Sequence, residues 1–104
     1  MRVGSVHVSE SLVEYLMTIV QTTRTHADVA LGVSTRGALT YFKASQALAM
    51  VAGRDFVIPE DIKRLAGPVL SHRILMKDRR MTRGDSSPES RFIQKIVSEI
   101  AVPR

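Results

Sequence analysis

The sequence feature that most constrains this fold is a helical spacing of apolar side chains in four stretches of the chain. Within each stretch, apolar residues recur every three or four positions, so they share one face of an amphipathic helix. The stretches are about 9–25, 34–52, 59–71 and 88–100. A helix with one apolar face needs a neighbour to cover that face, so the pattern predicts four helices packed around a common core.

Capping residues bound these helices. A serine stands at the N-cap position of three of them: Ser11 (in capping-box spacing with Glu14, with Ser9 as an alternative), Ser34 and Ser87. Pro59 suits the first position of the third helix, and Gly53 stands where a glycine would end the second helix. The predicted boundaries therefore rest on two signals, periodicity and capping.

Two apolar runs, 56–58 and 74–76, are too short to be helices. We expect them to be extended and to pair with each other, with Phe56 and Val57 filling the core. The predicted fold class is therefore all-α: a small four-helix bundle with room for one very short two-stranded β pair. At 104 residues, the chain 1–104 is expected to form a single domain.

Composition narrows the functions that are open to this chain. It has no cysteine, and no apolar run approaches the roughly 18 residues that a membrane span requires. We therefore expect a cytoplasmic protein that has no membrane partner. Fifteen Lys and Arg residues against ten Asp and Glu residues give a formal net charge of +5, which favours an anionic partner.

Motifs for catalysis are missing from the sequence. It contains no GxxxxGK[ST] phosphate loop, no GxSxG elbow and no HExxH helix. His7, His26 and His72 lie in different segments without a second ligand at helical spacing, so we predict no metal site. No residue is assigned a catalytic role, and catalysis by this chain alone is not expected.

The start of the second helix is the most suggestive stretch for binding. Ser34 would cap the helix, and Arg36 lies in its first turn, where free backbone N–H groups and the helix dipole favour an anion. An arginine there can add a charge-assisted hydrogen bond to a phosphate. From the spacing alone, a capped helix with a solvated arginine is the simpler interpretation.

Three blocks of sequence favour the binding interpretation over a solvated arginine. They are LGVSTRG from Leu31, GRDFVIPEDI from Gly53 and VLSHR from Val69. Together with VHVSESLVEYLMTIVQTTR from Val6, they cover nearly the whole chain, and their order and spacing resemble the C-terminal lid of MoxR-type AAA+ ATPases. The last predicted helix, at 88–100, is also one that such a lid requires.

The resemblance implies a function. The sensor 2 arginine of the family corresponds to Arg36, which would contact the γ-phosphate of ATP, with Ser34 beside it and Arg24 as a weaker member of the same cleft. ATP with Mg would be bound in the full-length protein, and no cofactor is expected in this chain alone. The implied partners are the ATPase core of the same protein, neighbouring subunits of a ring of usually six, and a client protein. The ATPase would remodel that client or insert a cofactor into it.

A DNA-binding role is the alternative. The stretch VIPEDIKRLAGPVLSHRI also resembles the third-helix region of a histone fold, and a basic histone-like domain would bind DNA phosphates with a strong salt dependence. The basic residues are unevenly spread along the chain, so nucleic acid is the less favoured partner.

Basic residues concentrate after the third helix. They are Arg73, Lys77, Arg79, Arg80 and Arg83. A solvated loop is the simplest explanation, and an interface with an acidic neighbouring subunit or client is the next. Arg73 is also placed to interact with the C-terminal dipole of the third helix, so we expect it to be structural.

Overall fold

A computed structural model describes residues 2–78 and 87–103 of the protein. Within these residues there are four α-helices and two short β-strands, preceded by a 3₁₀ turn at Val3–Ser5. The bounds are α1 Glu10–Thr25, β1 Val29–Leu31, α2 Thr35–Val51, α3 Pro59–Leu70, β2 Leu75–Met76 and α4 Pro88–Glu99. The predicted all-α class, a four-helix bundle with one tiny strand pair, is confirmed.

The helices begin where their caps predict. Ser9, Ser34 and Ser87 each accept a backbone N–H from three residues further on, at 3.0–3.3 Å. The N-cap of α1 is Ser9, the alternative, and the predicted capping box of Ser11 with Glu14 is not the start of this helix. After α2, Gly53 has a φ of +82°, a conformation that residues with a side chain rarely adopt. Local sequence therefore accounts for these ends.

The core lies where the apolar faces of the four helices meet. Its fully enclosed side chains include Leu16, Ile19, Tyr41, Ile62, Leu70 and Ile93. α3 packs against both α2 and α4, while α1 contacts α2, α4 and β1. The hydroxyl of Tyr41 donates to the carbonyl oxygen of Ile62, so the one polar atom of this large side chain is satisfied inside the core.

The predicted strand pair has the wrong partners. Leu75–Met76 pairs antiparallel with Val29–Leu31 instead of with 56–58. The run 56–58 bridges to the N-terminal segment, where Val57 N donates to the carbonyl oxygen of His7 at 2.9 Å. Three residues are too few to show the alternation that marks a strand. The pairing was therefore decided by how the helices bring distant segments together.

One of the two side chains expected to fill the core beside Pro59 does not do so. Val57 is buried, whereas Phe56 is 47% exposed and lies under the guanidinium of Arg54, 6.0 Å from the ring centroid. Successive side chains of an extended segment point to opposite sides, so two neighbours cannot both face the core.

Part of the predicted basic loop lies outside the described residues, namely Arg79, Arg80 and Arg83. Its first members are described: Arg73 is partly exposed and Lys77 is exposed. None of the described helices is long and apolar enough to cross a membrane.

Candidate anion-binding site at the start of α2

The candidate site is the N-terminus of α2. Ser34 precedes the helix in an extended conformation (φ −72°, ψ 167°), and its Oγ accepts the N–H of Gly37 at 3.0 Å. Helix geometry leaves the N–H groups of Thr35 and Arg36 without a partner inside the helix. Two free donors therefore lie at the positive end of the helix dipole, an arrangement that favours an anion.

The first turn of α2 differs in charge from those of the other helices. The first turns of α1, α3 and α4 carry acidic side chains: Glu10, then Glu60 and Asp61, then Glu89. The first turn of α2 has no acidic residue and contains the exposed Arg36. Among the described residues, no carboxylate forms an ion pair with Arg36. A positive side chain and the positive end of a helix therefore lie together without compensation.

The loop before α2 is held against the end of α1. A Cβ at Gly32 would lie 2.7 Å from both the Cα of Arg24 and the carbonyl oxygen of Thr23. These are backbone atoms, which cannot move aside as a flexible side chain can. Only glycine allows so close an approach, and the approach fixes where α2 can begin.

Thr23 ties the same loop to α1 from inside the core. The side chain is fully buried, and its hydroxyl donates to the carbonyl oxygen of Val20 at 2.6 Å. The Thr23 oxygen also accepts the N–H of Val33 at 3.1 Å. A threonine in an otherwise apolar stripe was the only sequence signal for this role, and its partner ten residues later could not be inferred from spacing.

Arg24, the weaker of the predicted site residues, lies beside the cap. Its Nε donates to the carbonyl oxygen of Val33 at 2.7 Å, one residue before Ser34. This bond occupies one of the five guanidinium donors, so Arg24 positions the loop and keeps four further donors. The three predicted site residues Arg24, Ser34 and Arg36 therefore lie at the same end of α2.

A further arginine reaches this helix end and was not predicted to do so. A Cβ at Gly37 would lie 3.4 Å from the Cδ of Arg73, so the stem of this side chain lies against the first turn of α2. The Nε of Arg73 is shielded from solvent and has no hydrogen-bond partner in the described part of the chain. From the sequence, Arg73 was expected at the C-terminus of α3. Its contact with Gly37 of α2 forms only when the chain is folded.

The N-terminus of α3 shows the opposite arrangement. Arg54 donates two hydrogen bonds of 2.8 Å to the carboxylate of Asp61, which also accepts the N–H of Ile58 at 2.9 Å. Burial would raise the pKa of Asp61. The hydrogen bonds from Arg54 and Ile58 and the charges of Arg54 and Arg64 outweigh burial and hold that pKa below its usual value. The charged side chains Arg54 and Asp61 of the GRDFVIPEDI block therefore neutralise each other.

An open groove of about 290 Å³ runs between α1 and α2 beside the candidate site. Its walls are mainly apolar and come from Val13, Leu16, Met17, Ala38, Leu39 and Phe42, with Arg24 and Thr35 also lining it. Leu39 is 52% exposed. Apolar surface is therefore open to solvent next to the capped end of α2.

The donors of the candidate site suit an anion better than a metal ion. They are backbone N–H groups and guanidinium groups, which have no lone pair to offer a cation. Within residues 2–78 and 87–103, no three His, Asp or Glu side chains come together as metal ligands.

Comparisons with known proteins identify the family. Residues 21–96 match the family model of the AAA lid domain. The chaperone MoxR1 of Mycobacterium tuberculosis is 32% identical over 93% of this chain, and the protein MoxR of Paracoccus denitrificans is 30% identical over 67% of it. The chain belongs to the AAA lid domains of the MoxR family. The resemblance stated from the sequence blocks is therefore confirmed.

Two further proteins are similar over almost the whole lid domain. The uncharacterized protein YeaC of Bacillus subtilis is 40% identical over 97% of it. A solved structure of a Cytophaga hutchinsonii protein, described there as an ATPase, is 29% identical and covers 98% of the lid domain with a TM-score of 0.83. The lid domain spans 31%, 28% and 24% of YeaC, MoxR1 and MoxR, and 33% of the Cytophaga chain.

The family match decides against the histone-like alternative, because sequence and fold agree with the AAA lid over most of the chain. It also links the chain to nucleotide-binding proteins, since AAA lid domains are parts of AAA+ ATPases. The individual roles of Arg36, Ser34 and Arg24 stay predictions.

Proposed function

We propose that this lid domain binds the terminal phosphate of ATP through Arg36, acting as a sensor 2 arginine at the capped N-terminus of α2. The observation that carries the proposal is the first turn of α2, which has an exposed arginine, free N–H groups and no acidic residue. A bound phosphate would neutralise both the helix dipole and the guanidinium.

Each predicted residue has a distinct task in this proposal. Arg36 contacts the γ-phosphate with its planar, charged donors. Ser34 holds the first turn in place through its bond to Gly37, and Arg24 holds the loop through its bond to Val33. Mg-ATP is bound by the core of the full-length ATPase, which also supplies hydrolysis, so this chain binds and orients and does no bond-breaking itself.

In this proposal, ATP hydrolysis changes the position of the lid relative to the core. Because Arg36 contacts only the terminal phosphate, loss of that phosphate removes an attraction between lid and core, and the lid can change its position. We propose that neighbouring subunits of a six-membered cytoplasmic ring transmit this change to a client protein, which is remodelled or receives a cofactor. The name of the similar chaperone MoxR1 supports a chaperone-like role.

The test is steady-state ATP turnover of the full-length ATPase with Arg36→Ala and Arg36→Lys. We expect Arg36→Ala to lower kcat by about 100-fold or more, because arginine contacts to a transferring phosphoryl group contribute effects of that size. Arg36→Lys should recover part of the activity, since lysine keeps the charge and loses the planar fork. An exposed arginine contributes little to folding, so the free energy of unfolding should change by less than about 1 kcal/mol.

Arg91→Ala is the matched control, because Arg91 is an exposed arginine on α4. It should leave kcat unchanged. Equal turnover of the Arg36→Ala variant and the unmodified ATPase would remove the sensor role and leave Arg36 as a solvated residue.

The isolated lid domain should bind Mg-ATP only weakly, with a Kd of about 1 mM or higher by calorimetry. The chain has no phosphate loop, and one helix end with its arginines cannot replace the contacts that such a loop makes to three phosphates. Micromolar binding would point to a nucleotide site elsewhere in this chain.

A further inference from the structure

The side chain of Arg73 connects two parts of the lid that are far apart in sequence. Its backbone follows α3, where its N–H donates to the carbonyl oxygen of Leu70 at 2.9 Å. Its Cδ lies beside Gly37, in the first turn of α2. Arg73 therefore contributes a guanidinium to the surroundings of the helix end that carries Arg36.

Gly37 makes this approach possible. A Cβ at Gly37 would meet Val33 Cγ1 at 2.9 Å and both Arg73 Cδ and Ser34 Oγ at 3.4 Å. No side chain fits there without a shift of these neighbours. The stem of Arg73 thus packs next to the cap of α2, with no side chain of the first turn between them.

The Nε–H of Arg73 is a buried donor without an acceptor. It is shielded from solvent, and no described residue accepts its hydrogen bond. A buried unsatisfied donor destabilises a fold, and more so when it is charged. In the described part of the chain Arg73 also forms no ion pair, whereas Arg54 is paired with Asp61.

Two independent features thus favour an anionic ligand. The end of α2 has free N–H groups and a positive dipole, and Arg73 adds an unpaired guanidinium with an unsatisfied Nε–H beside it. We propose that Arg73 is a second phosphate-binding arginine of this site, which with Arg36 binds the terminal phosphates of a nucleoside triphosphate. This inference rests on the proposed function and adds a residue to it.

The test is a titration of the isolated lid domain with inorganic triphosphate at low salt, followed by NMR of the arginine Nε–H and backbone N–H signals. The Nε–H of Arg73 is the reporter, because a phosphate bound by the guanidinium changes the surroundings of this N–H. We expect saturable shifts of the Arg73 Nε–H and of the free Thr35 and Arg36 N–H groups with a Kd in the millimolar range. Absence of a saturable shift at the Arg73 Nε–H would overturn the inference.

Variants measure the contribution of Arg73 to affinity. Arg73→Gln should raise the Kd for triphosphate about tenfold, as expected for the loss of one charge-assisted contact. Arg73→Lys should raise it less. Arg91→Gln, which removes the same charge on α4, should leave the Kd unchanged, and an equal rise in both glutamine variants would reduce the role of Arg73 to net charge.

The same titration separates this inference from the proposed function. If Arg36→Gln weakens triphosphate binding and Arg73→Gln does not, Arg73 is structural and the sensor role of Arg36 stands. If Arg73→Gln alone weakens binding, Arg73 binds phosphate without Arg36, and both the sensor role of Arg36 and the shared site are overturned. Thermal melting of each variant by circular dichroism identifies a folding defect. If Arg73→Gln does not fold, the Nε–H shift of the unmodified chain decides the question.

Discussion

The first turns of α2 and α3 differ in whether the positive end of the helix dipole and its nearby arginine are neutralised by an acidic side chain. At α3, Asp61 lies in the first turn, accepts the N–H of Ile58 and holds Arg54 with two hydrogen bonds. At α2, a serine caps the helix, no acid follows, and Arg36 has no ion-pair partner among the described residues. One helix end is neutralised by its own chain and the other is left positive.

The difference separates a structural motif from a candidate binding motif. Both blocks helped to identify the lid family, so resemblance alone does not say which of them binds a ligand. An arginine that already forms a bidentate ion pair has little left to offer a phosphate, whereas an unpaired arginine at a helix N-terminus is stabilised by one. The ion-pair partners therefore distinguish Arg36 from Arg54.

The largest expected effect on stability comes from Gly32→Ala, which alters the position of the α2 end and leaves α3 intact. The new Cβ would lie 2.7 Å from backbone atoms of Thr23 and Arg24, so the loop must move. We expect a loss of about 2–3 kcal/mol in the free energy of unfolding, in the range of other overpacking substitutions. Urea denaturation measures it, and turnover of the full-length ATPase should fall as well.

Gly67→Ala is the control for Gly32→Ala. Gly67 lies inside α3, and a Cβ there meets nothing within 4 Å. Because alanine favours a helix over glycine, this variant should be more stable by about 0.5–1 kcal/mol. If both variants had the same stability as the unmodified domain, the tight contact of the loop with α1 would not constrain α2.

Asp61→Asn should destabilise the lid domain and leave the chemistry at α2 unchanged. The variant removes the negative charge that holds Arg54 and keeps a side chain of the same shape. We expect a loss of about 1–2 kcal/mol in the free energy of unfolding, as for a charge-assisted hydrogen bond. In the full-length ATPase kcat should stay near the unmodified value, measured well below the melting temperature. A large fall in kcat would mean that the α3 end takes part in turnover.

The pH dependence of the free energy of unfolding should reflect the ionisation of Asp61. The pKa of Asp61 is lower in the folded domain than the usual value of about 3.9, so near that pH the unfolded chain binds more protons than the folded one. The stabilisation is therefore complete above about pH 5 and is lost as the pH falls through the unfolded and then the folded pKa. Arg54→Ala removes the Arg54 hydrogen bonds that help to lower this pKa and leaves the Ile58 N–H and the charge of Arg64, so the pKa of Asp61 moves up toward its unfolded value. The variant should therefore be less stable at neutral pH and should lose less further stability in acid melts than the unmodified domain.

The smallest effect tests whether the α2 end can be made like the α3 end. Thr35→Glu places an acid in the first turn of α2, where it neutralises the dipole and lies next to Arg36. We expect the domain to gain about 0.3–1 kcal/mol in stability. In the full-length ATPase the same variant should lower turnover, because the carboxylate competes with phosphate for Arg36. Gln94→Glu on the exposed face of α4 is the control and should change neither quantity.

Most of the helical framework could be predicted because its signals are local. Ser9, Ser34 and Ser87 act on N–H groups three residues away, and Gly53 acts through its own backbone angle. The candidate site was predictable only in part. Arg36 and Ser34 could be placed at a helix end from spacing, and Arg24 from the resemblance, whereas Thr23 and Gly32 were not recognised as the contacts that position that end.

The sequence by itself determined where the four helices begin and end, which faces are apolar, and that α2 starts with an arginine instead of an acid. Only the tertiary structure decided that Val29–Leu31 pairs with Leu75–Met76, and that Arg73 lies against Gly37. The physical reason is one of distance along the chain. Caps and helical faces involve residues within a turn or two of each other, whereas these contacts join segments whose meeting depends on the packing of all four helices.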